Sequence, residues 1–108
     1  MASPPERSIL MTRTEFITDL IRIYDECVEI SKKKNADYAD DDDPFKNFRM
    51  SEFVGVPLTR GILVRVMDKI VRVGNLLDRQ AEVDEPLKDT IRDAINYLAF
   101  ISIYLEVK

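Results

Sequence analysis

Arg65, Asp68, Arg72, Asn75 and Arg79 follow one another at intervals of three, four, three and four residues, with Lys69 beside them. On a helix that spacing puts the five side chains along one stripe. Forked guanidinium donors and an amide in a row suit phosphate oxygens and base edges. They suit water equally well, as a solvated face in which Asp68 pairs with Arg65 and Arg72. Further along, Glu85, Asp89, Asp93 and Asn96 recur at four, four and three. Carboxylates so spaced can share a hard cation such as Mg²⁺, which keeps water or substrate phosphates in its other positions. The helix dipole accounts for Glu85 and Asp89 at a helix start. Asp93 and Asn96 lie beyond the first turn, beside the most apolar stretch of the chain, where an unpaired charge is costly. Asp93 therefore needs a partner, either a base such as Arg65, Lys69 or Arg72, or a ligand or metal. Asp25, Glu26 and Glu29 form a weaker group, which could reach a common ion but reads as ordinary exposed acids.

The stretch KKKNADYADDDDPFKNFR, residues 32 to 49, raises a different question. Its four consecutive aspartates lack the glycine and the terminal glutamate of an EF-hand loop. A run of like charges is most simply solvated, which describes Asp40 to Asp42. Around it stand Lys34, Asn35, Asp37, Tyr38, Phe45, Asn47 and Phe48, aromatic and amide side chains in a polar segment. One reading is a lid in which a ring stacks on a base and asparagines read the base edge. The other is a long loop whose phenylalanines anchor it to the core.

The elements that must position these residues are helices. Thr12 with Glu15 is a capping box, and Phe16, Leu20, Ile23 or Tyr24, Cys27 and Ile30 continue at helical spacing, giving a helix from about 13 to 34. Residues 35 to 57 break the period, apart from one short turn at SEFVGV, and ordered connections of that length usually carry function. Leu63, Val66, Met67, Ile70, Val73 and Leu77 mark a second helix from Leu58 to about Arg79. After the polar link QAEVDE, Pro86 sits near a helix start, and Leu87, Ile91, Ala94, Ile95, Leu98 and Leu105 mark a third helix running to the C-terminus. Its last third, YLAFISIYLEV, is apolar on nearly every side, so it is covered all round or docks on another chain. The expected fold is all-α: a loose lead-in at 1–11, then one domain over 12–108 with three main helices, a long ordered loop between the first two, and a bundle completed by homo-oligomerisation.

Composition excludes several classes. A formal net charge of −4 is wrong for a general nucleic-acid coat, which needs a basic surface. No segment reaches the roughly 18 apolar residues that span a bilayer, and no leader is seen, so the expected location is cytoplasmic, without a membrane partner. The single cysteine, Cys27, lies in an apolar pattern and reads as a small core residue. With no histidine, any chemistry must run on carboxylates, a bound cation, lysines and arginines.

The blocks KNADYADDDDPFKNF, GILVRVMDKIVRVGNLL and VDEPLKDTIRDAINYLAF together resemble the phage and bacterial family called nucleotide modification associated domain one, over about residues 24 to 105. Carried across residue by residue, the family pattern falls on Lys34, Asn35, Asp37, Tyr38, Asp43, Pro44, Phe45, Asn47 and Phe48. It continues on Arg65, Asp68, Lys69, Arg72 and Asn75, then on Asp84, Glu85, Asp89, Asp93, Asn96 and Tyr97. The resemblance implies a role in phage nucleotide metabolism. A more distant likeness is to the MazG-type all-α nucleotide pyrophosphohydrolases, whose E-x-x-E and E-x-x-D pairs hold Mg²⁺ against a triphosphate. It makes Asp68, Asp89 and Asp93 the metal candidates, with Asp93 and Asp89 as the catalytic acids. Arg65 stands where one carboxylate of the first pair belongs. Each lost acid weakens metal retention, whereas an arginine can hold phosphate without metal.

Three functions are therefore expected in competition. The first is a homo-oligomeric nucleotide-binding protein with Mg²⁺-dependent pyrophosphohydrolase activity on a deoxynucleoside or nucleoside triphosphate. The second is a non-catalytic binder that sequesters a nucleotide, for example a cyclic nucleotide used as a defence signal. The third is a structural or interaction module whose charged stripes are internal salt bridges.

Overall fold

A computed structural model describes residues 9–79 and 84–107. Most of the lead-in, residues 80–83 of the polar link and the last residue lie outside the described residues. What is described is helical throughout: α1 (Arg13–Tyr38), a 3₁₀ segment (Lys46–Val54), α2 (Leu58–Leu77) and α3 (Glu85–Glu106), with no strand among the described residues.

The ends follow local chemistry. Thr12 caps α1 with both halves of the box: its hydroxyl accepts from the Glu15 amide at 3.1 Å, and the Glu15 carboxylate accepts from the Thr12 amide at 3.5 Å. α1 runs one turn further than its apolar period, to Tyr38, because nothing in Asn35–Tyr38 breaks a helix and Lys34 and Asn35 have anchors of their own. Asp84 caps α3 by accepting from the Leu87 amide, and Pro86 occupies the first turn, where its missing N–H costs nothing.

The long connection is built by its aspartates. The Asp40 carboxylate accepts from the Asp43 amide at 2.8 Å and from Lys46 at 3.3 Å. Asp43 takes a forked pair of bonds from Arg49, at 2.6 and 3.0 Å, and also accepts from the Phe45 amide. Successive three-residue backbone bonds, Lys46 to Asp43 and Phe48 to Phe45, then wind the 3₁₀ segment. It stops at Gly55, whose φ of 78° is the left-handed conformation that glycine adopts without strain. Asp41 and Asp42 stay exposed.

Both α1 and α2 pack on α3. The core is small: Leu58, Ile62, Val66, Leu87, Phe48 and Cys27 are buried, with Phe45, Tyr97, Phe100, Ile101 and Tyr104 half-buried around Phe48, Leu58 and Ile62. Gly61 lets the 3₁₀ segment close on α2, since a Cβ there would come within 2.6 Å of the Ser51 hydroxyl. The face of α2 that meets the core differs from the expected one. Of the six residues marked by periodicity, Val66 is buried, whereas Leu63, Met67, Ile70 and Leu77 are exposed. The reason is the breadth of the apolar arc on α2, which covers well over half its circumference; period alone does not say which part turns inward.

Candidate functional site

Four elements converge on a cavity of about 420 Å³. α1 contributes Ser31, Lys34, Asn35 and Tyr38; the 3₁₀ segment contributes Asn47 and Phe48; α2 contributes Arg65 and Lys69; α3 contributes Asp93, Asn96, Tyr97 and Phe100. The α1 set repeats at three, four and seven, so one helix face supplies it. The 3₁₀ segment reaches the site because the Asn35 amide donates to the Pro44 carbonyl at 2.8 Å, tying the loop to α1.

The charges are arranged around Asp93. Its Oδ1 accepts from Lys34 at 2.8 Å and its Oδ2 lies 3.2 Å from Lys69, so one carboxylate bridges α1 and α2 from α3. Partial burial pulls the Lys34 ammonium down, but the hydrogen bond and charge of Asp93 outweigh it and leave Lys34 above the ordinary lysine value. Arg65 lies 5.0 Å from the centre of the Phe48 ring, and among the described residues it forms no ion pair. The cavity wall thus carries three cations and one anion.

Phe45 and Phe48, the two phenylalanines of residues 32–49, are anchors, whereas Phe53 is exposed. Phe48 is 7% exposed and meets Tyr97 edge-on at 5.9 Å and Phe100 at 5.7 Å; Phe45 meets Tyr104 edge-on at 5.2 Å. Tyr38 is the aromatic ring at the cavity that stays largely exposed. Asn96 is buried and its amide donates to the Cys27 carbonyl at 3.0 Å, so at least half of that side chain holds α3 to α1. Cys27 is buried too, and burial raises its thiol above the usual range, which makes it an inert core residue.

Of the residues expected to bind a nucleotide, Lys34, Asn35, Tyr38, Asn47, Phe48, Arg65, Lys69, Asn96 and Tyr97 line this cavity together. Asp37 is exposed outside it, and Phe45 lines a separate apolar pocket behind Phe48. Arg72 and Asn75 face a neighbouring groove with Asp68 and Arg79, and Arg72 donates to Thr90 at 3.1 Å. Asp68 pairs with neither Arg65 nor Arg72 among the described residues. The three acids expected to hold metal do not all meet: Asp68 lies in that groove, while Asp89 and Asp93 share another with Glu85, Lys69 and Arg72, and both oxygens of Asp93 are engaged by lysines. No group of three or more acid or cysteine side chains among the described residues is placed to hold an ion. Lys69 and Arg72 stand with Asp89 and Asp93 at their shared groove, and their charges compete there with a cation.

Two features escape the sequence reading. Ser31 lines the cavity, and among the described residues its Oγ is the buried side-chain polar atom without a hydrogen-bond partner. Its spacing to Lys34, Asn35 and Tyr38 was the available signal. The other is the buried Arg92, whose Nε and Nη2 donate to Glu26 at 3.1 and 2.9 Å. Arg22 adds a bond at 3.0 Å to the same carboxylate. The Arg92 bond, ahead of a smaller opposing effect of burial, holds Glu26 below the usual carboxylate range. An arginine four residues before Asn96 on the α1-facing side of α3 was the clue to it.

No family model, curated protein or solved structure matches this chain. Fold and cavity by themselves define an all-helical protein with a cationic, aromatic-walled cavity at the junction of its four elements.

Proposed function

We propose that the protein binds a nucleotide in this cavity, holding phosphate with Lys34, Arg65 and Lys69 and presenting Tyr38, Asn35 and Asn47 to the base and sugar. The observation that carries the reading is the convergence of those three cations, from two helices, around a single carboxylate. Two positive charges are left over, and an anion is what they favour. The volume falls within the roughly 300–1,000 Å³ of small-molecule sites. Ser31 Oγ, buried and unpartnered, is a further group that a ligand atom would satisfy.

Binding without hydrolysis is the better-supported form of this reading. A Mg²⁺-dependent pyrophosphohydrolase would need Asp93, which shares a groove with Asp89, to let go of Lys34 and Lys69, and Asp68 lines a different groove. Self-association is part of the same proposal.

The test is incubation of the purified protein with deoxy-, ribo- and cyclic nucleotides, with and without Mg²⁺, followed by chromatography of the supernatant and of the denatured protein. The expected result is an intact nucleotide in the protein fraction in the absence of Mg²⁺, lost in Arg65→Ala. Mg²⁺-dependent monophosphate and pyrophosphate peaks would replace the binder by a hydrolase. Intact nucleotide recovered wholly in the supernatant would contradict both.

A further inference from the structure

Behind Phe48 the cationic cavity has a neighbour of different chemistry, a pocket of about 480 Å³ between α1, α3 and the start of the 3₁₀ segment. Val28, Phe45, Ala99 and Ile103 give it apolar walls, where the cavity has Lys34, Arg65, Lys69 and Asp93. Lys32, its charged lining residue, is largely exposed and paired with Glu29 at 3.2 Å. The two spaces share Ser31, Asn35, Phe48, Asn96 and Phe100. Charge lies on one side of that shared wall and hydrocarbon on the other.

Three polar groups on the shared wall have no partner among the described residues. Ser31 Oγ is buried and bonds to nothing there. Asn35 donates its amide nitrogen to the Pro44 carbonyl at 2.8 Å, and Asn96 donates its own to the Cys27 carbonyl at 3.0 Å. Those bonds fix which end of each amide is committed. The two carbonyl oxygens, Oδ1 of Asn35 and Oδ1 of Asn96, accept from no described group. Ser31 and Asn35 stand four apart on one face of α1, so the hydroxyl and one acceptor lie side by side. Buried polar groups are normally paired, and a ligand atom beside these three completes the wall.

We propose that this pocket is the base subsite of the nucleotide site, and that it selects a base carrying an exocyclic amino group: adenine, guanine or cytosine. The inference rests on the nucleotide reading above and adds where the base goes and which edge of it is recognised. The flat faces of a base suit aromatic and aliphatic walls, and the volume lies within the range of small-molecule sites. Two fixed acceptors ask for two N–H donors. An amino group supplies two hydrogens by itself, and guanine adds a ring N–H, whereas hypoxanthine, uracil and thymine in their nucleotides each offer a single ring N–H. The Ser31 hydroxyl both donates and accepts, so it meets a ring nitrogen or a carbonyl of any of the three bases. A base with one donor leaves an acceptor unpaired, which a hydrogen-bonding site rejects strongly. Phosphate stays with Lys34, Arg65 and Lys69, and Tyr38 and Asn47, which line the cationic cavity alone, meet the sugar.

Titration calorimetry on the full chain tests it, with 5′-monophosphates taken in pairs that differ in the amino group: guanosine against inosine, adenosine against inosine, cytidine against uridine. Inorganic triphosphate probes the cationic cavity by itself. The amino member of each pair binds about tenfold more tightly or better. Ala99→Phe, at an exposed helical position that lines the pocket and not the cavity, weakens the amino nucleotides about tenfold and leaves inorganic triphosphate unchanged, with helical circular dichroism retained. Should that variant fail to fold, Val28→Phe, half-exposed on the α1 side of the same pocket, supplies the second measurement with the same expected result. Equal affinities within the pairs, or a filled pocket that binds nucleotides as the wild type does, overturn this inference and leave nucleotide binding standing. Failure of every nucleotide to bind overturns both readings.

Discussion

Two ion clusters tie α3 to α1, and they are built in opposite ways. At the first, one carboxylate, Glu26, receives the buried Arg92 through two bonds and Arg22 through a third, with Lys88 at 4.0 Å. At the second, Asp93 bridges Lys34 and Lys69, and Arg65 stands nearby on an aromatic ring without an acid. The first presses an arginine into the packing between helices, where it is 7% exposed and its charge is matched at contact distance. The second opens its cations on a cavity. Burial with a matched partner makes a fastener, whereas cations in excess around a solvent-reached space make a receptor for an anion.

Substitution should separate the two. Arg92→Ala removes a buried partner and leaves a gap in the α1–α3 contact. Glu26 is left a third exposed and keeps Arg22 and Lys88, so the loss is that of packing and of two hydrogen bonds, about 1–3 kcal/mol. That lowers the melting temperature by several degrees in a calorimetric scan, with the nucleotide affinity of the folded protein unchanged. Arg65→Ala should do the reverse. Its side chain is exposed apart from the Phe48 contact, so stability should fall by under about 1 kcal/mol, while nucleotide affinity measured by titration calorimetry drops about tenfold to a hundredfold. If Arg65→Ala proves the less stable variant, the distinction between fastener and receptor is lost.

Acid should weaken the fastener and the aspartate-built loop. Glu26 and Asp43 are both held below their ordinary values, Glu26 chiefly by Arg92 and Asp43 chiefly by Arg49. A carboxylate depressed in the folded state contributes stability that is present above its unfolded value and lost as pH falls through its folded one. The melting temperature should therefore hold from neutrality to about pH 4.5 and decline below it, with a shallower decline in Arg92→Ala. Lys34 has the opposite sign: its raised value contributes stability below the ordinary lysine range that fades only as pH rises through the raised one. It should add no pH dependence near neutrality. A loss of stability between pH 6 and 8 would contradict these assignments.

How much of this could be read beforehand depends on the residue. Helix existence was legible because Thr12–Glu15 and Pro86 announce starts, and the apolar period is long in each case. Much of the cavity wall was legible as well: Arg65 and Lys69 on the polar stripe of α2, Asp93 beside the apolar end of α3, and Lys34 in the segment that the family resemblance covers. The choice of partner for Asp93 was open among Arg65, Lys69 and Arg72; the packing of α2 on α3 gives Lys69, and α1 adds Lys34, which was not among them. Which side of α2 turns inward was not legible, because Leu63, Met67 and Ile70 continue the apolar arc of Ile62 and Val66 without a polar boundary. The fate of the aspartate run depended on Arg49, six residues beyond Asp43, and no local pattern joins them. Phe48 as anchor or stacking platform was undecidable without Tyr97 and Phe100 around it.

The smallest expected change is also the most direct test of the cavity as a metal-free anion site: nucleotide affinity in Asp93→Asn, titrated in excess chelator. Removing the single negative charge while keeping the side chain's shape leaves Lys34 and Lys69 freer to meet phosphate. The account predicts affinity retained or raised several-fold, with a steeper dependence on salt. A loss of binding that Mg²⁺ restores in the wild type and not in Asp93→Asn would make Asp93 a metal ligand and contradict the account.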